Sequence, residues 1–127
     1  MKKKILIVDD EPEQIDFAST ILEENGYITI SASNGIEGMK LVRTEAPDLI
    51  LLDIMMPQKG GVGMYQELRN DAATRNIPVV IVTGVTRGRD FDDQMVTQSH
   101  DVPSPDGYIE KPMNPEAVIK LVNGLLS

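Results

Sequence analysis

Leu49-Ile50-Leu51-Leu52-Asp53 is a run of four large apolar residues ending on a carboxylate. Unbroken apolar character, without the polar alternation of a half-exposed strand, fits a strand buried on both faces of a parallel sheet. Residues 4–8 and 79–82 are of the same kind, almost purely Ile, Leu and Val, and shorter or more mixed runs lie at 27–32 and 107–109.

Amphipathic stretches fill the gaps between these runs. Pro12 opens the first helix, with Ile15, Ala18 and Leu22 on its inner face and Asn25-Gly26 at its end. Ile36, Met39, Val42 and Ala46 repeat at similar spacing before Pro47, and Val62, Tyr65 and Leu68 form a shorter third face. Asn114 reads as an N-cap and Pro115 as the first residue of a last helix carrying Val118, Leu121, Val122 and Leu125. Alternating strand and helix predicts an α/β fold with a parallel sheet and right-handed crossovers. Residues 87–106 break the rhythm: they hold Asp90, Asp92, Asp93, His100, Asp101, Pro103 and Pro105, and predict at most a short helix followed by an irregular loop.

The 127 residues suit one domain, and 41% apolar with 25% charged residues is ordinary globular composition. A net charge of −8 would repel a phosphate backbone and argues against direct nucleic-acid binding. Behind Lys2-Lys3-Lys4 the apolar run ends at Val8, too short for a signal peptide, and no run is long enough to span a membrane. These features predict a cytoplasmic protein. The absence of cysteine excludes thiolate and disulfide chemistry.

The residues just past the apolar runs carry the chemistry. Asp9-Asp10-Glu11 follows the first, Asp53 the third, Thr83 the fourth and Lys111 lies beyond the fifth. Ligands of open α/β sheets bind beyond the carboxyl ends of the strands, so with strands one, three and four adjacent these groups converge. Three aspartates in one pocket would raise each other's pKa unless a cation intervened. Oxygen ligands without His or Cys favour a hard ion such as Mg²⁺. A lysine and a hydroxyl supply partners for phosphate oxygens, and an aspartate between metal and lysine can attack phosphorus to form an acyl phosphate. Taken singly, each residue has a plainer reading: an N-cap or turn for an aspartate, a strand residue for Thr83, a rim aromatic for Tyr108. Glu11 reads as a favourable first-turn charge and His100 as a solvated loop residue.

Ile7-Val8-Asp9-Asp10-Glu11-Pro12, Leu51-Leu52-Asp53-Ile54-Met55-Met56-Pro57, Ile81-Val82-Thr83-Gly84 and Tyr108-Ile109-Glu110-Lys111-Pro112 together resemble the receiver domains of two-component response regulators, over essentially the whole chain. The resemblance implies a flavodoxin-like five-stranded parallel sheet in the order 2-1-3-4-5, with helices on both faces, forming a single receiver domain over residues 1–127. It implies that Asp53 takes a phosphoryl group, with Mg²⁺ held by Asp10, Asp53, the backbone carbonyl of Met55 and, partly through water, Asp9. Lys111 would pair with the phosphoryl group, Thr83 would move in to hydrogen-bond it, and Tyr108 would rotate inward with Thr83. It also implies a cis Lys111–Pro112 bond. The donor would be a histidine kinase or phosphotransfer protein, and the output contact with an unknown downstream protein, from a monomer or weak dimer. Such a domain modifies itself and is not a turnover enzyme. The last helix ends at the chain's end, so the domain is expected to act alone through protein contact, the other reading being a receiver excised from a longer protein.

Rival readings fit less well. A flavin mononucleotide carrier would need a hydroxyl- and glycine-rich loop where Asp9-Asp10-Glu11 stands. A haloacid-dehalogenase-type phosphatase would need its nucleophile after the first strand with a second Asp two residues on, where Glu11 and Pro12 stand. A phosphorylation-independent interaction module of the same fold is the alternative that shares the residues. The chain also departs from the receiver pattern. Lys59-Gly60-Gly61 lacks the usual acid before the third helix, which predicts a looser helix start, and Thr83 and Lys111 are 28 positions apart, longer than usual, making the fourth-helix region atypical.

Met55 and Val85 sit at family positions that tune attack by hydrolytic water, and both are apolar. A water there finds no side chain to orient it, which predicts a long-lived phosphoryl group. Met55→Asn or Val85→Glu should shorten that lifetime several-fold in a dephosphorylation time course; unchanged decay in both variants would count against the idea.

Overall fold

The computed structural model describes residues 2–54, 61–84 and 104–127. In chain order they form β1 (Lys4–Val8), α1 (Pro12–Glu24), β2 (Ile28–Ala32), α2 (Gly35–Glu45), β3 (Leu49–Asp53), α3 (Gly61–Asn70), β4 (Val79–Gly84), β5 (Gly107–Lys111) and α4 (Pro115–Leu126). The five strands make one parallel sheet in the order β2-β1-β3-β4-β5. The predicted fold class and strand order hold. The atypical stretch expected within 87–106 falls outside the described residues apart from its last three positions.

Strand alternation divides the apolar side chains between two cores. Ile5, Ile7, Leu49, Leu51, Val80, Val82 and Ile109 pack with Ala18 and Leu22 of α1 and Val118 and Val122 of α4. Leu6, Val8, Ile50, Leu52, Val79 and Ile81 face the other way, against Met39 and Val42 of α2 and Met64, Tyr65 and Leu68 of α3. Every residue of β3 is buried, which explains why it reads as an unbroken apolar run.

The helix boundaries follow local chemistry. Pro12 is the first residue of α1, and Gly26, at φ 90, sits in the turn that ends it. Tyr27 donates its N–H to Leu22 O and belongs to that turn, so β2 starts one residue later than the apolar run suggested. Asn34 and Asn114 cap α2 and α4 by accepting from the amides of Glu37 and Ala117. Two residues of the expected α2 face are corrected. Ile36 is 64% exposed, and Ala46 lies past the helix as its left-handed cap at φ 47; the buried face is Gly35, Gly38, Met39 and Val42. Gly38 allows this rotation, because a β-carbon there would stand 2.9 Å from Met64 Sδ.

β5 is tied to the sheet at its start by a buried cation. Arg69 of α3 donates to the carbonyls of Arg75 and Ile77, to the Tyr65 hydroxyl and to Asp106 Oδ2, the last at 2.8 Å. The same Asp106 oxygen accepts the Val79 N–H, and Asp106 donates its own N–H to Val79 O. Asp106→Ala should therefore cost about 2 kcal/mol, short of a fully buried pair because Asp106 is partly exposed. Asp106→Asn, which keeps an acceptor for Val79, should cost less. Equal urea midpoints for wild type and Asp106→Ala would show that the tie contributes nothing.

Candidate functional site

β1, β3 and β5 end at the same edge of the sheet, and the residues at or just past their ends bring three charged groups together. Asp9 is the first residue past β1 and donates its N–H to Ala32 O at 3.0 Å, extending the ladder by one step. Asp53 is the last residue of β3, opposite Val82, and Lys111 the last of β5, opposite Gly84. By alternation all three continue the face that carries Ile7, Leu51 and Ile109, the α1/α4 side. The strands thus run one or two residues further than their apolar runs, since a chain can keep its ladder hydrogen bonds while its side chains turn polar.

Asp9 and Asp53 are buried, at 3% and 2% exposure. Lys111 Nζ lies 3.2 Å from Asp9 Oδ2, 3.2 Å from Glu11 Oε1 and 3.4 Å from Asp53 Oδ2. Asp9 Oδ1 accepts the Glu11 amide at 2.9 Å, which orients the carboxyl. Burial pushes the Asp9 carboxyl up to about 6; the Glu11 amide pulls it down, the Asp53 charge raises it and Lys111 lowers it again. Burial alone would lower Lys111, but the charges of Asp53 and Asp9 and the hydrogen bonds to Glu11 and Asp9 outweigh it and hold the ammonium above its ordinary value.

Asp9, Asp10, Glu11 and Asp53 each place a carboxylate oxygen within 4.8 Å of the others. Three of these, Asp9, Asp10 and Asp53, are hard oxygen donors without nitrogen or sulfur beside them and fit Mg²⁺, while Glu11 is engaged by Lys111. Met55, whose carbonyl was expected to join them, lies outside the described residues, as do Val85 and His100. Gly61 brings α3 against this edge: a β-carbon there would fall on the Asp53 carbonyl oxygen and 2.5 Å from Ile54 Cα. Close approach therefore demands a glycine here; Lys59 and Gly60 lie outside the described residues.

Thr83 is buried in β4, one residue beyond the partner of Asp53, and shares the α2/α3 face of the sheet with Tyr108 by alternation. Tyr108 is 38% exposed. The Lys111–Pro112 bond is cis. Glu11 is the residue whose part the sequence reading missed: it is no mere first-turn charge but a partner of Lys111, a contact spanning a hundred positions. Its place directly after two acids was the available signal. Among the described residues no helix is long and apolar enough to cross a membrane.

Comparison with known proteins agrees with the fold. The family model for the response regulator receiver domain matches residues 5–123. The chain is 36% identical over 124 residues to protein PilH of Pseudomonas aeruginosa, covering 98% of each. It is 35% identical to the alkaline phosphatase synthesis transcriptional regulatory protein PhoP of Bacillus subtilis, covering 99% of this chain but 49% of that one. Among solved structures, the receiver domain of the Francisella response regulator 1452 superposes with a TM-score of 0.82 at 30% identity, covering 98% and 97% of the two chains.

The raised Asp9 carboxyl has a consequence for metal-free protein. It keeps its proton up to about pH 6 when folded, but loses it near 3.8 when unfolded. Between those values unfolding releases a proton, so stability falls as pH rises, and the loss persists above pH 6. A gap of this size is worth on the order of 2–3 kcal/mol. Lys111 adds no slope in this window, because a raised lysine loses its contribution only at alkaline pH. In EDTA, Asp9→Asn should flatten the decline in melting temperature between about pH 4 and 7; parallel profiles for variant and wild type would refute the assignment.

Proposed function

The chain belongs to the response regulator receiver family, and from that premise we propose that Asp53 is the aspartate that accepts the phosphoryl group. The observation that carries this reading is the buried Asp53 carboxylate facing Lys111 Nζ at 3.4 Å, inside the acidic cluster. A buried carboxylate stays charged, and so nucleophilic, only if its charge is balanced, and the ammonium supplies the balance.

In the transfer, a carboxylate oxygen of Asp53 bonds to phosphorus as the bond from phosphorus to the histidine nitrogen of the donor breaks. The imidazole leaves with the electron pair. Lys111 then faces a group with more negative charge than the carboxylate it replaces and pairs with the phosphoryl oxygens. Asp10, Asp53, Asp9 and the Met55 carbonyl would hold Mg²⁺, which supplies further positive charge to those oxygens. The backbone N–H of Glu11 keeps the Asp9 carboxyl turned toward the cluster.

Thr83 and Tyr108 act as the switch pair. Thr83 closes on the phosphoryl oxygens, and Tyr108, half out in solvent at rest, follows it inward and changes the surface of β5 and α4. The domain is one receiver unit that works in the cytoplasm. It is charged by a histidine kinase or phosphotransfer protein and read by a downstream protein. The phosphoryl group shifts the conformational equilibrium only by the contacts it gains in the active state.

The test is intact-mass measurement after incubation with Mg²⁺ and acetyl phosphate. Addition of one phosphoryl group is expected in the wild type and none in Asp53→Asn or without Mg²⁺. Labelling of Asp53→Asn would move the acceptor elsewhere, and an unlabelled wild type would favour a phosphorylation-independent interaction module.

A further inference from the structure

The Lys111 ammonium has one partner more than phosphoacceptor chemistry asks for. Glu11 Oε1 is as near to Nζ as Asp9 Oδ2, at 3.2 Å each. The three carboxylates differ in setting: the side chains of Asp9 and Asp53 are 5% and 3% exposed, and that of Glu11 is 55% exposed. Glu11 is also the N-cap residue of α1, with extended backbone, yet its side chain makes no cap hydrogen bond. An N-cap Asp ordinarily accepts from the free amides of the first helical turn, a role the longer Glu11 side chain does not take. Here it turns away from the helix and onto the lysine.

We infer that Glu11 is a positioning residue that holds Lys111 in the resting protein and discriminates among small phosphodonors by their charge. The inference rests on Asp53 being the acceptor. When acetyl phosphate is the donor, an Asp53 oxygen bonds to phosphorus, the bond from phosphorus to the acetate oxygen breaks, and acetate leaves with the electron pair. Lys111 serves the incoming phosphoryl oxygens only as far as it gives up its present partners. Glu11 is the partner it gives up most cheaply, because water solvates the released carboxylate at an exposed position, whereas Asp9 would be left charged and buried. Before transfer, the Glu11 charge also adds to the field with which Asp9, Asp10 and Asp53 meet the donor. Both effects oppose a dianion such as acetyl phosphate more than phosphoramidate, which carries less net negative charge at neutral pH.

Initial rates of phosphoryl addition, followed by intact mass at saturating Mg²⁺, test this with wild type and Glu11→Gln. The variant should react about two- to five-fold faster with acetyl phosphate, the effect expected of one exposed ion pair. Its gain with phosphoramidate should be smaller, and raising the salt should shrink the difference. Calorimetric titration should show Mg²⁺ affinity falling by no more than about three-fold, the effect of one exposed charge beside the site. Equal gains with the two donors, no gain, or a tenfold loss of Mg²⁺ affinity (the mark of a metal ligand) would overturn the inference while leaving Asp53 as acceptor. A wild-type chain that takes no phosphoryl group from either donor would overturn the reading of Asp53, and this inference with it.

Discussion

One ammonium group lies within 3.4 Å of three carboxylates at the end of a buried sheet. Acids crowded there would repel one another and resist burial, and Lys111, by reaching all three, offsets that repulsion. That role runs back through the fold. Lys111 is delivered by β5, whose ladder to β4 sets Gly84 against Lys111. The start of β5 is held by Asp106, which Arg69 and Val79 grip from the opposite edge. Asp53 is held by β3 on one side and by the close passage of Gly61 on the other.

The sheet also sorts the site's residues by face. Asp9, Asp53 and Lys111 continue the alternation of the α1/α4 side, and Thr83 and Tyr108 that of the α2/α3 side. In the proposed mechanism the chemistry thus begins on one side of the sheet, and the response is carried by a pair whose side chains belong to the other. β4 and β5 are the only strands that contribute to that pair, and both border the segment whose composition departs most from the family.

What was legible in the sequence was whatever depends on neighbours along the chain. The apolar runs of β1, β3 and β4 announce burial on both faces, and Pro12, Asn114 and Pro115 mark helix starts through their own backbone chemistry. Asp9, Asp53 and Lys111 could be placed together because a parallel sheet aligns strand ends. Less legible was what depends on a helix's rotation or on distant partners. Ile36 looked like core by spacing, but Gly35 and Gly38 let α2 turn their bare backbone inward against Met64. Glu11 looked like a helix charge because its partner lies a hundred residues away. Arg69 gave no sign at all: a cation in a helix's last turn usually stands in water, and only the fold supplies the two carbonyls, hydroxyl and carboxylate that let it be buried.

The tie at Asp106 has an evolutionary side. β4 leaves the sheet at the acidic edge, at Gly84, and the chain re-enters at the far edge, where Asp106 meets Val79. Among the described residues, ladder bonds between β4 and β5 and the contact of Arg69 with Asp106 set both anchor points. Lengthening a flexible connection between two fixed points costs only a logarithmic closure entropy, about 0.6 kcal/mol for each doubling. Insertions between these points, beyond Val85, then need not disturb the register that places Lys111, so partner preferences can diverge there while the acceptor end of the sheet is inherited.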